Sequence, residues 1–420
     1  MTLVNRRLAL SGLFSAIALI SQTIPLSGAA AGRFASPSVR DIQQSLRFIP
    51  DRMAHYHVPG LSLAGIHNGT VKWTQAFGVA RVGGEPVTPE TLFQASSIGM
   101  PVTAVAVLRL VEQGKLNLDA DVSQYLRSWK LPNNKFTEQK KVTLRELLSH
   151  TAGATVNGFE DYAAGKQVPT LVQVLNGESP AKPAPVTIDF VPGSQFRYAG
   201  GNYAIIQQIL IDVTGESFPD LMQELVLQPL HMVHSTFQQP IPEKLQPLVA
   251  TPYDKDGNAI EGGPRTSPVM AVGGLWTTPS DLALFALGIQ NALAGKPGAI
   301  VSPSTAHKML QAVLGGYGLG FVIAGNGSNR YFWHPGAGSG FLGVFFAYEE
   351  KGDGVVLMSN EQYSKALMLE VIQTLAKQYG WTEFPTDSTF TNPWVIGLIC
   401  ACVVLITYLL FRVIRHQKRS

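Results

Sequence analysis

A chain of 420 residues, 45% of them hydrophobic, is long enough to bury a sizeable core in one large domain or two smaller ones. Its net charge of +3 comes from the ends: Arg6, Arg7, Arg412, Arg415, Lys418 and Arg419 lie in acid-free segments, and 32 Lys and Arg less these six leave 26 against 29 Asp and Glu. A middle that is slightly acidic has no basic surface to offer, so no nucleic-acid partner is expected. Both cysteines, Cys400 and Cys402, fall near the C-terminus, which leaves the body without a disulfide framework or a thiolate metal site.

Residues 1–31 read as a secretory signal peptide: two arginines precede an apolar run at 8–20, and Ala29-Ala30-Ala31 supplies small residues for cleavage. An uncleaved anchor helix is the alternative. Between 41 and 56, Ile42, Leu46, Ile49 and Met53 repeat at helical spacing before the Val58-Pro59-Gly60 break. Two strands follow at 61–67 and 71–79, joined by Asn68-Gly69, the strongest short hairpin signal.

The segment Gln94-Ala95-Ser96-Ser97-Ile98-Gly99-Met100 leads into an almost wholly apolar helix that stops at Gly114, so that helix belongs in the middle of its domain. Ser97 sits at its start, where unpaired N–H groups and the helix dipole favour developing negative charge. Met100 follows one turn later on the same face. Downstream, Tyr198 stands in a Gly-rich loop before a helix carrying Ile205, Ile206, Ile209, Leu210 and Val213. His231 and His234 have helical ligand spacing but no partnering cluster, and there is no G-x-S-x-G, H-E-x-x-H or Walker loop, so neither a metal nor a cofactor is expected.

Short strands are expected again at 331–334, 341–348 and 355–359, and a helix at 364–379. Strands at both ends with helices between suggest an α/β domain of the α+β type over 37–380: one antiparallel sheet flanked by helices, with a mainly helical region inserted. Residues 381–392 read as a linker. The 18 uncharged residues 394–411 would form a helix about 27 Å long, just enough for a hydrocarbon core of about 30 Å, so 393–412 reads as a transmembrane helix. The basic tail 413–420 then places the C-terminus in the cytoplasm and the main domain on the periplasmic or exterior face, with the lipid bilayer as a partner.

Six segments occur in the order found in one family: the Ser97 stretch, Glu112-Gln113-Gly114-Lys115-Leu116, Leu148-Ser149-His150-Thr151-Ala152-Gly153, Tyr198-Ala199-Gly200, Gly273-Gly274-Leu275-Trp276-Thr277 and His334-Pro335-Gly336. Over roughly 40–380 the chain resembles the beta-lactamase-related serine hydrolases, which include penicillin-binding proteins, class C beta-lactamases, D-aminopeptidases and esterases. The resemblance implies the beta-lactamase/transpeptidase-like fold, Ser97 as nucleophile and Tyr198 as general base. It implies His334 and Gly336 on the strand lining the site, and an oxyanion hole from the N–H groups of Ser97 and Ala337. His150 is read as structural.

Two departures stand out. Met100 occupies the lysine position of S-x-x-K, and Gly200 replaces the amide of Y-x-N. Two functions therefore stay open: acyl transfer or hydrolysis of small esters, amides or D-amino-acid peptides through Ser97, or a non-catalytic envelope protein, a pseudoenzyme, that binds cell-wall peptide or a partner in a retained cleft.

Overall fold

The computed structural model describes residues 37–386. Helices Val39–Ser45 and Ile49–Tyr56 replace the single helix expected over 41–56. Pro50 is the reason: inside a continuous helix it would have no N–H for the carbonyl of Leu46 and its ring would clash there, whereas in a first turn it is tolerated.

The strands are β1 (Gly60–His67), β2 (Thr70–Gly78), β3 (Phe93–Gln94), β4 (Trp276–Thr277), β5 (Val322–Ala324), β6 (Tyr331–Gly338), β7 (Phe341–Tyr348) and β8 (Gly354–Ser359). Six of them form one antiparallel sheet in the order β2-β1-β8-β7-β6-β5, so the N-terminal hairpin pairs with the last strand, as expected from strands at both ends of the domain. The β1–β2 hairpin turns at Asn68 and Gly69, both with φ > 0 as that dipeptide signals.

Each face of the sheet is covered. On one, Ile42, Ile49 and Met53 from the first two helices and Leu367, Val371 and Leu375 from helix Lys365–Tyr379 pack with Leu61, Val344 and Leu357. On the other, helix Gly99–Glu112 is buried on nearly every side, as an apolar helix must be, with Gly200–Thr214 and Pro279–Leu293 around it. The domain thus has the expected α/β layering, with the inserted helical region between β2 and β5.

The expected transmembrane helix is corrected here. No helix among the described residues is long and apolar enough to cross a membrane; their longest helices have 15 residues against the roughly 20 a span needs. The signal segment 1–31 and the span 393–412 both lie outside the described residues. The bilayer partner, the envelope setting and the periplasmic or exterior placement of the domain rest on those two segments, and no helix among the described residues supports them.

Candidate active site

From 91 to 108 every side chain is buried except that of Ser97, which is half-exposed. The chain leaves β3, turns through a 3₁₀ segment Ser96–Ile98 and enters helix Gly99–Glu112. Ser96 adopts φ 48°, a left-handed conformation that costs on the order of 1–3 kcal/mol for a non-glycine residue. This kink is what lifts Ser97 out of the packed run and sets it at the mouth of the helix.

Met100 is 0% exposed and comes back beneath Ser97. The hydroxyl of Tyr198 lies 3.3 Å from its Sδ, with Ser97 near enough to influence the phenol. The direction of this chain follows from elementary chemistry. A thioether has no hydrogen, so the phenol donates to sulfur; with its one hydrogen so engaged, the phenol oxygen can only accept from any further partner. Burial pushes the Tyr198 phenol up to about 12, with Ser97 pulling the other way. The arrangement is a serine beside a phenol whose own proton points at an atom that cannot take it.

Tyr198 is held by its neighbours. The N–H of Ala199 and the side-chain amide of Asn202 both donate to Nδ1 of His150, at 3.3 and 3.0 Å. The His150 ring lies 4.4 Å from that of Tyr198. His150 is wholly buried, and desolvation, with His334 nearby, lowers it to about 3, so it is a neutral acceptor that fixes the loop, the structural role expected of it. Gly200 opens helix Gly200–Thr214; a Cβ there would meet the Asn157 carbonyl at 3.0 Å and the Phe159 ring at 3.1 Å. The place where an amide side chain was noted as missing is filled by an aromatic face from the 154–166 loop.

Across from Tyr198 runs β6. Gly336 passes so close to the segment before Ser97 that a Cβ would lie 2.1 Å from the carbonyl oxygen of Ala95. Gly336→Ala should cost about 1–3 kcal/mol, because backbone opposes backbone and no side chain can swing aside; the urea midpoint measures it, and an unchanged midpoint would mean that the approach is not as tight as described.

β6 and β7 are joined by Ser339 and Gly340, both left-handed, with Gly338 opposite Phe341 and Ala337 opposite Leu342. Pairs alternate in an antiparallel ladder, so Gly338 faces β7 with its hydrogen bonds and Ala337 turns its N–H outward. β5 ends opposite Trp333, so that N–H meets no strand. The free donor of Ala337 and the start of the Ser97 helix thus lie on adjoining segments.

His334 is not placed as the sequence led us to expect. It is 1% exposed; its Nδ1–H donates to the carbonyl of Pro335 at 2.7 Å, and Nε2 accepts the hydroxyl of Tyr317 at 2.9 Å. Burial lowers it to about 4. Both nitrogens being engaged, its imidazole is a buried brace for the strand and not an open lining group. Tyr317 and Asp161, whose carboxylate meets Ser339 at 2.6 Å, were missed by sequence reasoning. The Gly315-Gly316-Tyr317-Gly318 run was the one signal for the former; a lone acid in a polar loop gave none for the latter.

Residues 47–377 match the family model described as Beta-lactamase. The chain belongs to the beta-lactamase family. Among relatives of this beta-lactamase-family protein, Protein flp of Staphylococcus aureus (strain N315) is 24% identical over 76% of the chain, which spans only 63% of that relative's length. A beta-lactamase of Pseudomonas fluorescens is 26% identical over 75% of the chain and 92% of the relative. Among solved structures, the octameric penicillin-binding protein homologue from Pyrococcus abyssi superposes with a TM-score of 0.64 at 28% identity, covering 79% of this chain and 78% of the other. SurE with D-Leu superposes at 0.65 with 21% identity over 82% and 77%, a likeness of fold. The family match gives the domain a serine-hydrolase type of architecture, in accord with the resemblance read from the six segments.

Proposed function

We propose that this beta-lactamase-family chain performs slow acyl transfer or hydrolysis on small esters, amides or D-amino-acid peptides through Ser97. The observation that carries the reading is that the half-exposed Ser97 stands at the start of a buried helix whose Met100, one turn on, meets the hydroxyl of Tyr198 at 3.3 Å. In the small fraction of molecules whose Tyr198 is ionised, Ser97 Oγ attacks the substrate carbonyl carbon as its proton moves to the Tyr198 phenolate. The N–H groups of Ser97 and Ala337 hold the oxyanion, and collapse expels the leaving group with a proton returned from Tyr198. Water, activated in the same way, then releases the acid.

The pace is set by the base. A phenol near pKa 12 is ionised to roughly one part in 10⁵ at pH 7. The Ser97-dependent rate on p-nitrophenyl acetate should therefore climb about tenfold per pH unit from 7 to 10, and Ser97→Ala should remove that component. A flat profile in the intact protein would show that Tyr198 is not the base. The second reading, a binding module for a small acyl compound or peptide, is favoured by Met100, whose thioether ends the proton path; complete absence of a Ser97 adduct with a fluorophosphonate would select it.

A further inference from the structure

A half-buried carboxylate outside the catalytic chain joins the two halves of the site. The side chain of Asp161 accepts the Ser339 hydroxyl at 2.6 Å and the Gln94 amide at 3.3 Å, both on Oδ2, with Ser267 close enough to favour its charge. Gln94 is on β3, three residues before Ser97, and its amide is held by the Gly273 carbonyl at 2.8 Å as well. Ser339 stands two residues after Ala337, in a left-handed conformation at φ 51°. The turn lies directly against the nucleophile segment: a Cβ on Gly338 would be 3.5 Å from Ser96 Oγ. The loop that bears Asp161 is anchored in turn by paired backbone bonds between Tyr162 and Thr266, each 2.8 Å.

Carboxylates are costly to bury, and burial does raise this one, with the Ser339, Ser267 and Gln94 donors and the charge of Arg265 opposing. A purely structural link between two loops would not need a charge. Here the charge accepts from one segment on each side of the oxyanion position.

We propose that Asp161 is a positioning residue, whose carboxylate sets the separation of the Ser97 and Ala337 N–H groups by tying the Ser339 turn to Gln94. This rests on the reading of those two groups as the oxyanion donors. Donors of this kind act only within a few tenths of an ångström of the developing charge, so loosening the turn acts on turnover more than on binding.

The test uses the intact protein with Asp161→Ala, Asp161→Asn and Ser339→Ala. With p-nitrophenyl acetate, Asp161→Ala should lower kcat about 10- to 100-fold with KM within about threefold. Asp161→Asn should recover part of the loss, because its amide oxygen still accepts from Ser339. Ser339→Ala should give a smaller drop that adds nothing to Asp161→Ala in the double variant. Amide hydrogen exchange gives a second readout that needs no turnover: in Asp161→Ala and Ser339→Ala, residues 337–340 should exchange about tenfold faster or more while β1 is unchanged.

Unchanged exchange at 337–340, equal acceleration throughout the sheet, or an effect on KM alone would overturn the proposal. If Asp161→Ala fails to fold, the Asn and Ser339 variants decide it. A wild-type protein with no Ser97-dependent turnover would sink the acyl-transfer reading alone, since the exchange data judge the clamp separately.

Discussion

Met100→Lys is expected to raise the rate at which a small ester or beta-lactam acylates Ser97 by on the order of 10²-fold or more. The thioether sulfur is 3.3 Å from the Tyr198 hydroxyl, so an amine placed there would meet the phenol within hydrogen-bond reach. Lysine and methionine side chains are similar in length, and the socket is fully enclosed, so the new amine would be desolvated and its pKa depressed. As an amine it gives the proton path the acceptor it lacks; as an ammonium it draws the Tyr198 pKa down from about 12 and raises the phenolate fraction. Either way Ser97 gains a usable base. Stopped-flow acylation with p-nitrophenyl acetate and with a chromogenic beta-lactam measures the gain, and adding Ser97→Ala must abolish it. A folded Met100→Lys protein with no Ser97-dependent gain would mean that more than the lysine is missing, and the binding reading would then be the better one.

The second large effect is on acid stability. His150 and His334 are held neutral, lowered by burial to about 3 and about 4, whereas an unfolded imidazole titrates near 6.5. Below that value the unfolded chain binds protons that the folded chain refuses, so the stabilisation is complete above pH 6.5 and is lost as pH falls toward the folded values. For His334 the loss should reach about 3 kcal/mol by pH 4. Urea unfolding between pH 7.5 and 4 should show a steep acid limb. His334→Gln should remove about half of it, leaving the part due to His150, because the amide oxygen can still accept from Tyr317 and carries no ionisable ring. Parallel limbs in the two proteins would show that His334 is not responsible.

Much of this architecture could be read from pattern. Asn68-Gly69 announced the first hairpin, short apolar runs between Gly-rich turns marked β7 and β8, and an apolar stretch without a polar face placed helix Gly99–Glu112 at the centre. The one-turn spacing from Ser97 to Met100 located the anomaly in the site, since helical geometry puts both on one face. Pro50 was visible as well, yet the apolar period ran through it and hid the break.

What stayed hidden depends on chain segments distant in sequence. Nothing near His334 shows that Tyr317 takes its Nε2, and nothing near Gly200 shows that Phe159 covers it. The left-handed kink at Ser96 is likewise set by the surrounding packing, not by a residue type that favours it. Motif order located the residues; burial decided which of them retain a free polar atom.

The outward edge of β6 bears on how a chain-like ligand could dock. Pro335 occupies an edge-facing position and has no N–H, so along this edge Ala337 is followed by a gap where the next donor would stand. An extended peptide laid beside the strand would gain a hydrogen bond at one point and find no rung two residues away, which prevents it from zipping on as an added strand. The same gap discourages a second copy from extending the sheet through its exposed margin. A ligand laid on this edge would therefore meet a single backbone rung and would have to be held elsewhere by side chains.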